Sequence, residues 1–111
     1  MQADGLIPVR GTTDYYERAL KVTPDLKSFF RYFQVPGLAH CSGGNGGQPT
    51  ATFQALVDWV EHGIPPDSLP IQFNNTEGIV NNRILCPYPE QVQLKAKNLP
   101  VTVASSFQCR K

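Results

Sequence analysis

The run Phe29-Phe30-Arg31-Tyr32-Phe33-Gln34-Val35 is nearly continuous in aromatic and apolar residues and stops abruptly at Pro36-Gly37. Continuity rather than alternation is the pattern of a strand buried on both faces, as in a parallel sheet covered by helices. Residues 28–35 are therefore expected to form one buried parallel strand, with Arg31 and Gln34 marking an edge or end that reaches solvent. Beyond Pro36-Gly37 come Leu38-Ala39-His40-Cys41-Ser42 and the glycine-rich stretch from Gly43 to Gly47, with the character of a loop that shows reactive side chains to solvent. Loops held by a rigid scaffold carry function more often than core segments do. His40 is the first candidate, as a catalytic base.

Helical patterns flank this strand and loop. Thr12, Thr13 and Asp14 offer N-caps, Asp14 with Glu17 resembles a capping box, and Tyr15, Tyr16, Ala19 and Leu20 share a face. A short amphipathic helix is expected over 14–22, ended by Pro24, with both tyrosines as core anchors. After the loop, Pro49 and Thr50 open a second helix. Phe53, Leu56, Val57 and Val60 form its apolar stripe, widened by Trp59, and Gly63 followed by Pro65-Pro66 stops it. His62 falls in the last turn, where a hydrogen-bonding or cationic side chain suits the helix end. Beyond Asp67 the signals weaken. Ile71-Gln72-Phe73, Gly78-Ile79-Val80 and residues 83–88 read as short extended pieces, and Pro87, Pro89 and Pro100 exclude a long central strand there.

With 111 residues the chain makes at most one domain, covering 1–111. A net charge of +1 with 17% charged residues provides no electrostatic footprint for nucleic acid or an anionic membrane. No apolar run approaches the ~20 residues that span a bilayer, and Met1 to Gly5 carries no secretory signal. The three cysteines, Cys41, Cys86 and Cys109, leave one thiol without a partner in the chain. A bridge between Cys86 and Cys109 would stabilise the polar C-terminal third by roughly 3 kcal/mol on the chain-entropy model. Reduced cysteines in a cytosolic protein are the alternative. Asn74-Asn75-Thr76 is an N-glycosylation acceptor pattern, meaningful only in the secretory pathway.

The order turn, helix, strand, loop, helix is a fragment of a parallel α/β unit. Its crossover delivers Asp4 and His40 to the same edge of the sheet, beyond the carboxyl ends of neighbouring strands. An acid followed by a histidine at that edge fits two members of a Ser-Asp-His triad. In the α/β-hydrolase chain order the serine precedes both, which puts it outside this chain. Ser42 lies in a segment that looks like part of a nucleophile elbow, but His40 occupies the position where an elbow needs glycine, and a serine two residues away is poorly placed for that base. A metal site from His40, Cys41 and His62 lacks the paired-ligand spacing of structural zinc.

Ala3-Asp4-Gly5-Leu6-Ile7-Pro8, Asp14 to Arg18, Phe29-Phe30-Arg31 leading to Val35-Pro36-Gly37, and His40 to Gly44 all match, in order, the tannase and feruloyl esterase family. Ala55 to Glu61, Leu85 to Pro89 and Ser105 to Cys109 match as well, so the chain closely resembles the C-terminal portion of that family. The resemblance implies a secreted serine carboxylesterase, of fungal or bacterial type, with an α/β-hydrolase fold and a separate lid domain. It implies that Asp4 is the triad acid and His40 the base, that Cys86 and Cys109 pair, and that Cys41 bonds a cysteine beside the absent nucleophile. It also implies calcium in the absent lid rather than here, no cofactor in this chain, and a phenolic or plant cell-wall ester as substrate, with no nucleic-acid or membrane partner. Two departures stand out: Met1-Gln2 replaces the strand before Asp4, and Ala39 stands where glycine is usual. The expected fold is thus the C-terminal fragment of an α/β hydrolase: two helices, one buried parallel strand and an irregular disulfide-linked tail. A truncated, non-catalytic remnant is the alternative reading.

Overall fold

The computed structural model describes residues 3–111. Helix α1 runs Val9–Val22 and helix α2 Thr52–His62. The strands are β1 Gln48–Pro49, β2 Leu69–Asn74, β3 Val80–Leu85, β4 Gln91–Leu94 and β5 Phe107–Arg110, with single 3-10 turns at Leu26–Ser28 and Ala104–Ser106. Strands β1, β2 and β3 form one antiparallel sheet in that order, and β4 pairs antiparallel with β5. No helix among the described residues is long and apolar enough to cross a membrane.

Helix α1 starts five residues earlier than its apolar spacing indicates. Pro8 stands at its N-cap with φ −63°, and the Gly11 N–H donates to the Pro8 carbonyl to open the first turn. Asp14 is consequently inside the helix, paired with Arg18 at 3.0 Å rather than capping. Of the two expected anchors only Tyr16 is buried; Tyr15 faces solvent. Tyr16 packs edge-on against Phe30 and Tyr88, and its hydroxyl donates to the Phe30 carbonyl at 3.1 Å. Burial of its ring pushes the phenol pKa up.

The buried parallel strand expected over 28–35 does not form. Residues 29–35 run irregularly, and their only ladder-like pairing among the described residues is an isolated antiparallel bridge between Phe33 and Pro87, with a Tyr88 N–H to Tyr32 carbonyl bond of 2.7 Å beside it. A strand needs a neighbour that supplies donors along its length, and Pro87 has no N–H. Phe29 is exposed, so the run is not buried on both faces. Its last residue, Val35, does reach the core.

That core consists of Val35, Leu38, Leu69, Ile71 and Leu85, with Phe33 and Ala55 packed against it. Val35 and Leu38 straddle Pro36-Gly37, so the loop bearing His40 is anchored in the core at its root. Gln48 and Pro49 pair with Gln72 and Ile71 at the other end of the loop. This pairing takes Pro49 into a strand, and α2 begins only at Thr52. It ends where expected, at Gly63 with φ 67°.

Cys86 and Cys109 are bonded, with Cα atoms 5.5 Å apart. The bridge joins the segment after β3 to β5, so the C-terminal tail is a disulfide-linked hairpin rather than irregular chain. Arg83 adds to this junction, stacked 5.2 Å from the ring centres of both Phe73 and Phe107.

Candidate active site

The loop from Pro36 to Gly47 folds back on itself. The Gly46 N–H donates to the Gly37 carbonyl at 3.0 Å, and the Ala39 N–H donates to the Gly43 carbonyl at 3.0 Å. A Cβ on Gly46 would lie 1.9 Å from the Pro36 oxygen, and one on Gly44 would lie 2.3 Å from the Gly37 oxygen. The glycines are therefore needed for backbone to pass against backbone. Closing the loop this way leaves His40, Cys41 and Ser42 at its tip, where the Ser42 N–H donates to the His40 carbonyl at 2.7 Å. Cys41 takes the left-handed conformation, φ 63°, and its thiol is free and exposed. Gln48 steadies the tip through an Nε2 to Cys41 carbonyl bond of 3.4 Å.

The Ala3 N–H donates to the Leu38 carbonyl at 3.0 Å, which brings the next residue, Asp4, to that tip. Asp4 Oδ1 accepts from the Leu6 and Ile7 N–H groups at 2.8 and 2.9 Å. Its Oδ2 lies 2.9 Å from His40 Nδ1. The Asp4 side chain is only 3% exposed, whereas His40 is 42% exposed. The Ile7 N–H, then the His40 ring and the Leu6 N–H, hold the Asp4 carboxyl down at about 2, below its ordinary 3.8. A carboxylate so held accepts only, so the shared proton sits on Nδ1, and in the neutral imidazole Nε2 then keeps its lone pair. The arrangement can accept a proton at Nε2 and stabilise the imidazolium that results.

Asp4 and His40 thus meet as their order along the chain predicts, although the strand expected to lead into the His40 loop over 28–35 does not form. The stretch leading to Asp4, Met1-Gln2, lies outside the described residues. Residue patterns alone did not reveal the two N–H groups that hold Asp4. An aspartate leading into Gly-Leu-Ile is an Asx-turn signal, since its side chain bonds backbone a few residues on, and would have found them. Ser42 makes no side-chain hydrogen bond to His40 among the described residues. His62 lies far along the chain at the end of α2, 3.6 Å from Asp58. No group of three or more His, Cys, Asp or Glu residues comes together to hold a metal among the described residues. Asn74 ends β2 at an exposed hairpin tip, where Asn75 Oδ1 accepts from the Glu77 and Ile79 N–H groups at 2.9 Å each.

The model of the tannase and feruloyl esterase family matches residues 1–110. The chain belongs to this family. Within it, the chain is 35% identical to a mono(2-hydroxyethyl) terephthalate hydrolase of Piscinibacter sakaiensis, over 96% of its own length and 18% of that protein. It is 33% identical to a probable feruloyl esterase B-1 of Aspergillus flavus, over 96% of its length and 24% of the relative. The crystal structure of an esterase from Aspergillus oryzae superimposes with a TM-score of 0.77 at 29% identity, over 96% of this chain and 25% of that one. The chain therefore spans a quarter or less of these family members. The two helices and small antiparallel sheets fit a fragment of an α/β hydrolase.

Proposed function

We propose that this chain supplies the acid and base of a serine carboxylesterase, with Asp4 and His40 completing a triad around a serine that lies outside it. The observation that carries this reading is the 2.9 Å contact between His40 Nδ1 and an Asp4 carboxylate already fixed by two backbone N–H groups. The serine Oγ attacks the ester carbonyl carbon while its proton passes to His40 Nε2. The tetrahedral intermediate then expels the alcohol, which takes that proton from Nε2. Water, deprotonated by the same nitrogen, releases the acid and restores the serine. Asp4 keeps its charge throughout and balances the imidazolium.

The substrates are phenolic or related aromatic esters, gallates and hydroxycinnamates among them, a reading supported by the names of the feruloyl esterase and terephthalate monoester hydrolase relatives. Calcium belongs to a lid domain elsewhere in the polypeptide, and none of the residues here is assigned to it. Cys41 bonds a cysteine beside the nucleophile, for which its exposed thiol at the loop tip is suited. The disulfide between Cys86 and Cys109 and the exposed acceptor pattern at Asn74 support export to an oxidising compartment.

The isolated chain is inactive by this account. Assay against methyl ferulate, methyl gallate and mono(2-hydroxyethyl) terephthalate tests it: no turnover is expected. Turnover that His40→Ala abolishes would mean that the nucleophile lies within the chain and would overturn the proposal.

A further inference from the structure

Two dipeptides of this chain are suited to succinimide chemistry, and both lie in the candidate site. Asn-Gly occurs once, at Asn45-Gly46 in the histidine loop, and Asp-Gly once, at Asp4-Gly5. In each, the glycine nitrogen can attack the side-chain carbonyl carbon of the residue before it, because glycine has no Cβ to hinder the approach. At Asp4 the fold disables the reaction. Ring closure there must expel water from a protonated carboxyl, whereas the Asp4 carboxyl is held ionised by the Leu6 and Ile7 N–H groups and by His40.

At Asn45 the restraint falls on the attacking atom instead. The Asn45 side chain is exposed and makes no hydrogen bond among the described residues. The Gly46 N–H, however, donates to the Gly37 carbonyl at 3.0 Å. The backbone there is pressed against Gly37, where a Cβ would lie 2.8 Å from the Gly46 nitrogen and 3.3 Å from the Asn45 carbonyl carbon. While the loop is closed, that nitrogen can neither give up its proton nor turn toward the Asn45 side chain.

We propose that Asn45 is a covalent modification site of the histidine loop, deamidating through Gly46 only when the loop opens and leaving an isoaspartyl product that cannot close it again. The Gly46 nitrogen bonds to Asn45 Cγ, and its proton leaves with the side-chain NH2 as ammonia. Water then opens the succinimide ring. Cleavage of the bond between the nitrogen and Cγ gives aspartate on an unchanged backbone. Cleavage of the other bond to that nitrogen routes the chain through the side chain, which adds a methylene to the backbone. The closed loop has no room for it, since even a Cβ on Gly46 would lie 1.9 Å from the Pro36 oxygen. Every opening therefore carries a chance of irreversible loss of the frame that holds His40. A matching loss of ester hydrolysis rests on the catalytic reading; the chemistry at Asn45 does not.

The test incubates the wild-type chain at neutral pH, folded and, in parallel, unfolded in urea. Peptide mass mapping with isoaspartyl methyltransferase gives the deamidation rate at Asn45, and hydrogen exchange of the Gly46 N–H gives the fraction of time the loop is open. Folding should slow deamidation by the Gly46 protection factor, to within about threefold, because both reactions need the same opening. Gly37→Ala, which forces the loop apart, should remove the protection and the slowing together; should that variant not fold, the wild-type comparison still decides. The purified isoaspartyl form should have an unprotected Gly46 N–H, whereas Asn45→Asp, with the new charge on a normal backbone, should keep it protected. Deamidation of the folded chain at the unfolded rate, with Gly46 still protected, overturns the proposal. So does an isoaspartyl form whose Gly46 remains protected, or an Asn45 that stays intact in the unfolded chain. Ester hydrolysis is read in a chimera where this chain replaces the stretch it matches in the terephthalate hydrolase. Its turnover should fall in step with isoaspartyl content and persist on ageing in Asn45→Ala. A chimera without turnover from the start would sink the catalytic reading, while agreement of the two rates would still support the modification site.

Discussion

Ala3 donates its backbone N–H to the carbonyl of Leu38 at 3.0 Å, and Leu38 is itself buried in the core. The acid-bearing turn is thereby tied to the root of the histidine loop, so the 2.9 Å spacing of Asp4 and His40 is inherited from packing rather than from contact between the two side chains alone.

The Asp4 carboxyl should titrate near 2 in the folded chain. Because folding lowers its pKa, its contribution to stability is complete above about 3.8 and is lost as the pH falls toward about 2. His40→Ala should raise the midpoint but leave it below 3.8, since the Ile7 and Leu6 N–H groups remain. Carbon-13 NMR of the Asp4 carboxyl against pH reads both values. A midpoint at the ordinary value in the folded wild-type chain would refute the hydrogen-bonding scheme.

Catalysis is measured in a chimera where this chain replaces the stretch it matches in the terephthalate hydrolase of Piscinibacter sakaiensis. His40→Ala and Asp4→Asn should each lower kcat for an aromatic ester by ~10³-fold or more, the latter by favouring the wrong imidazole tautomer. Ser42→Ala should stay within about threefold of the parent, because Ser42 is given no part in proton transfer. A loss at Ser42 as large as that at His40 would move the nucleophile into this chain.

The loop glycines should differ sharply from one another. Gly46→Ala drives a Cβ to within 1.9 Å of the Pro36 oxygen, so the loop must open, at a cost above roughly 2 kcal/mol. Gly43, with φ +81° and nothing within 4 Å, faces only backbone strain, so Gly43→Ala should cost about 1–2 kcal/mol. Urea denaturation of the two variants gives the comparison.

Tyr16→Ala should destabilise by about 3–5 kcal/mol, since its ring is 1% exposed among Phe30, Tyr32 and Tyr88. Tyr15→Ala, one residue away and exposed, should stay within about 0.5 kcal/mol. Equal effects would contradict the orientation of α1.

Cys86→Ser with Cys109→Ser should cost roughly 3 kcal/mol on the chain-entropy model for a sequence separation of 23. Denaturation midpoints with and without reductant check it, and unchanged midpoints would show that the β4–β5 hairpin holds without the bridge.

Residue types and their order made much of the site legible. His40 on its loop, the Gly63 stop and strand character at Ile71–Phe73 come from local chemistry, whereas Asp4 is reached as its partner through the order of elements along the chain and the family resemblance. The strand expected over 28–35 failed because an apolar run reports burial but not which chain supplies ladder partners, and here Pro87 stands opposite. Strands β4, Gln91–Leu94, and β5, Phe107–Arg110, are too short for alternation to register, and the disulfide and pairing define them. Periodicity marked Phe53, Leu56, Val57 and Val60 as the apolar stripe of α2, but Phe53, Leu56 and Val60 are exposed and Ala55 is the residue that packs on the core, because a period fixes a face without saying what the face meets.

The self-closing bonds of the Pro36–Gly47 loop have an evolutionary consequence. Its shape is written in its own residues and two core anchors, so the histidine and its acid form a cassette that can be inherited as a unit. Substitutions outside the loop and its anchors can then accumulate without moving His40 relative to Asp4. Under the proposed function, the esters accepted could change while the Asp4–His40 pair kept its geometry.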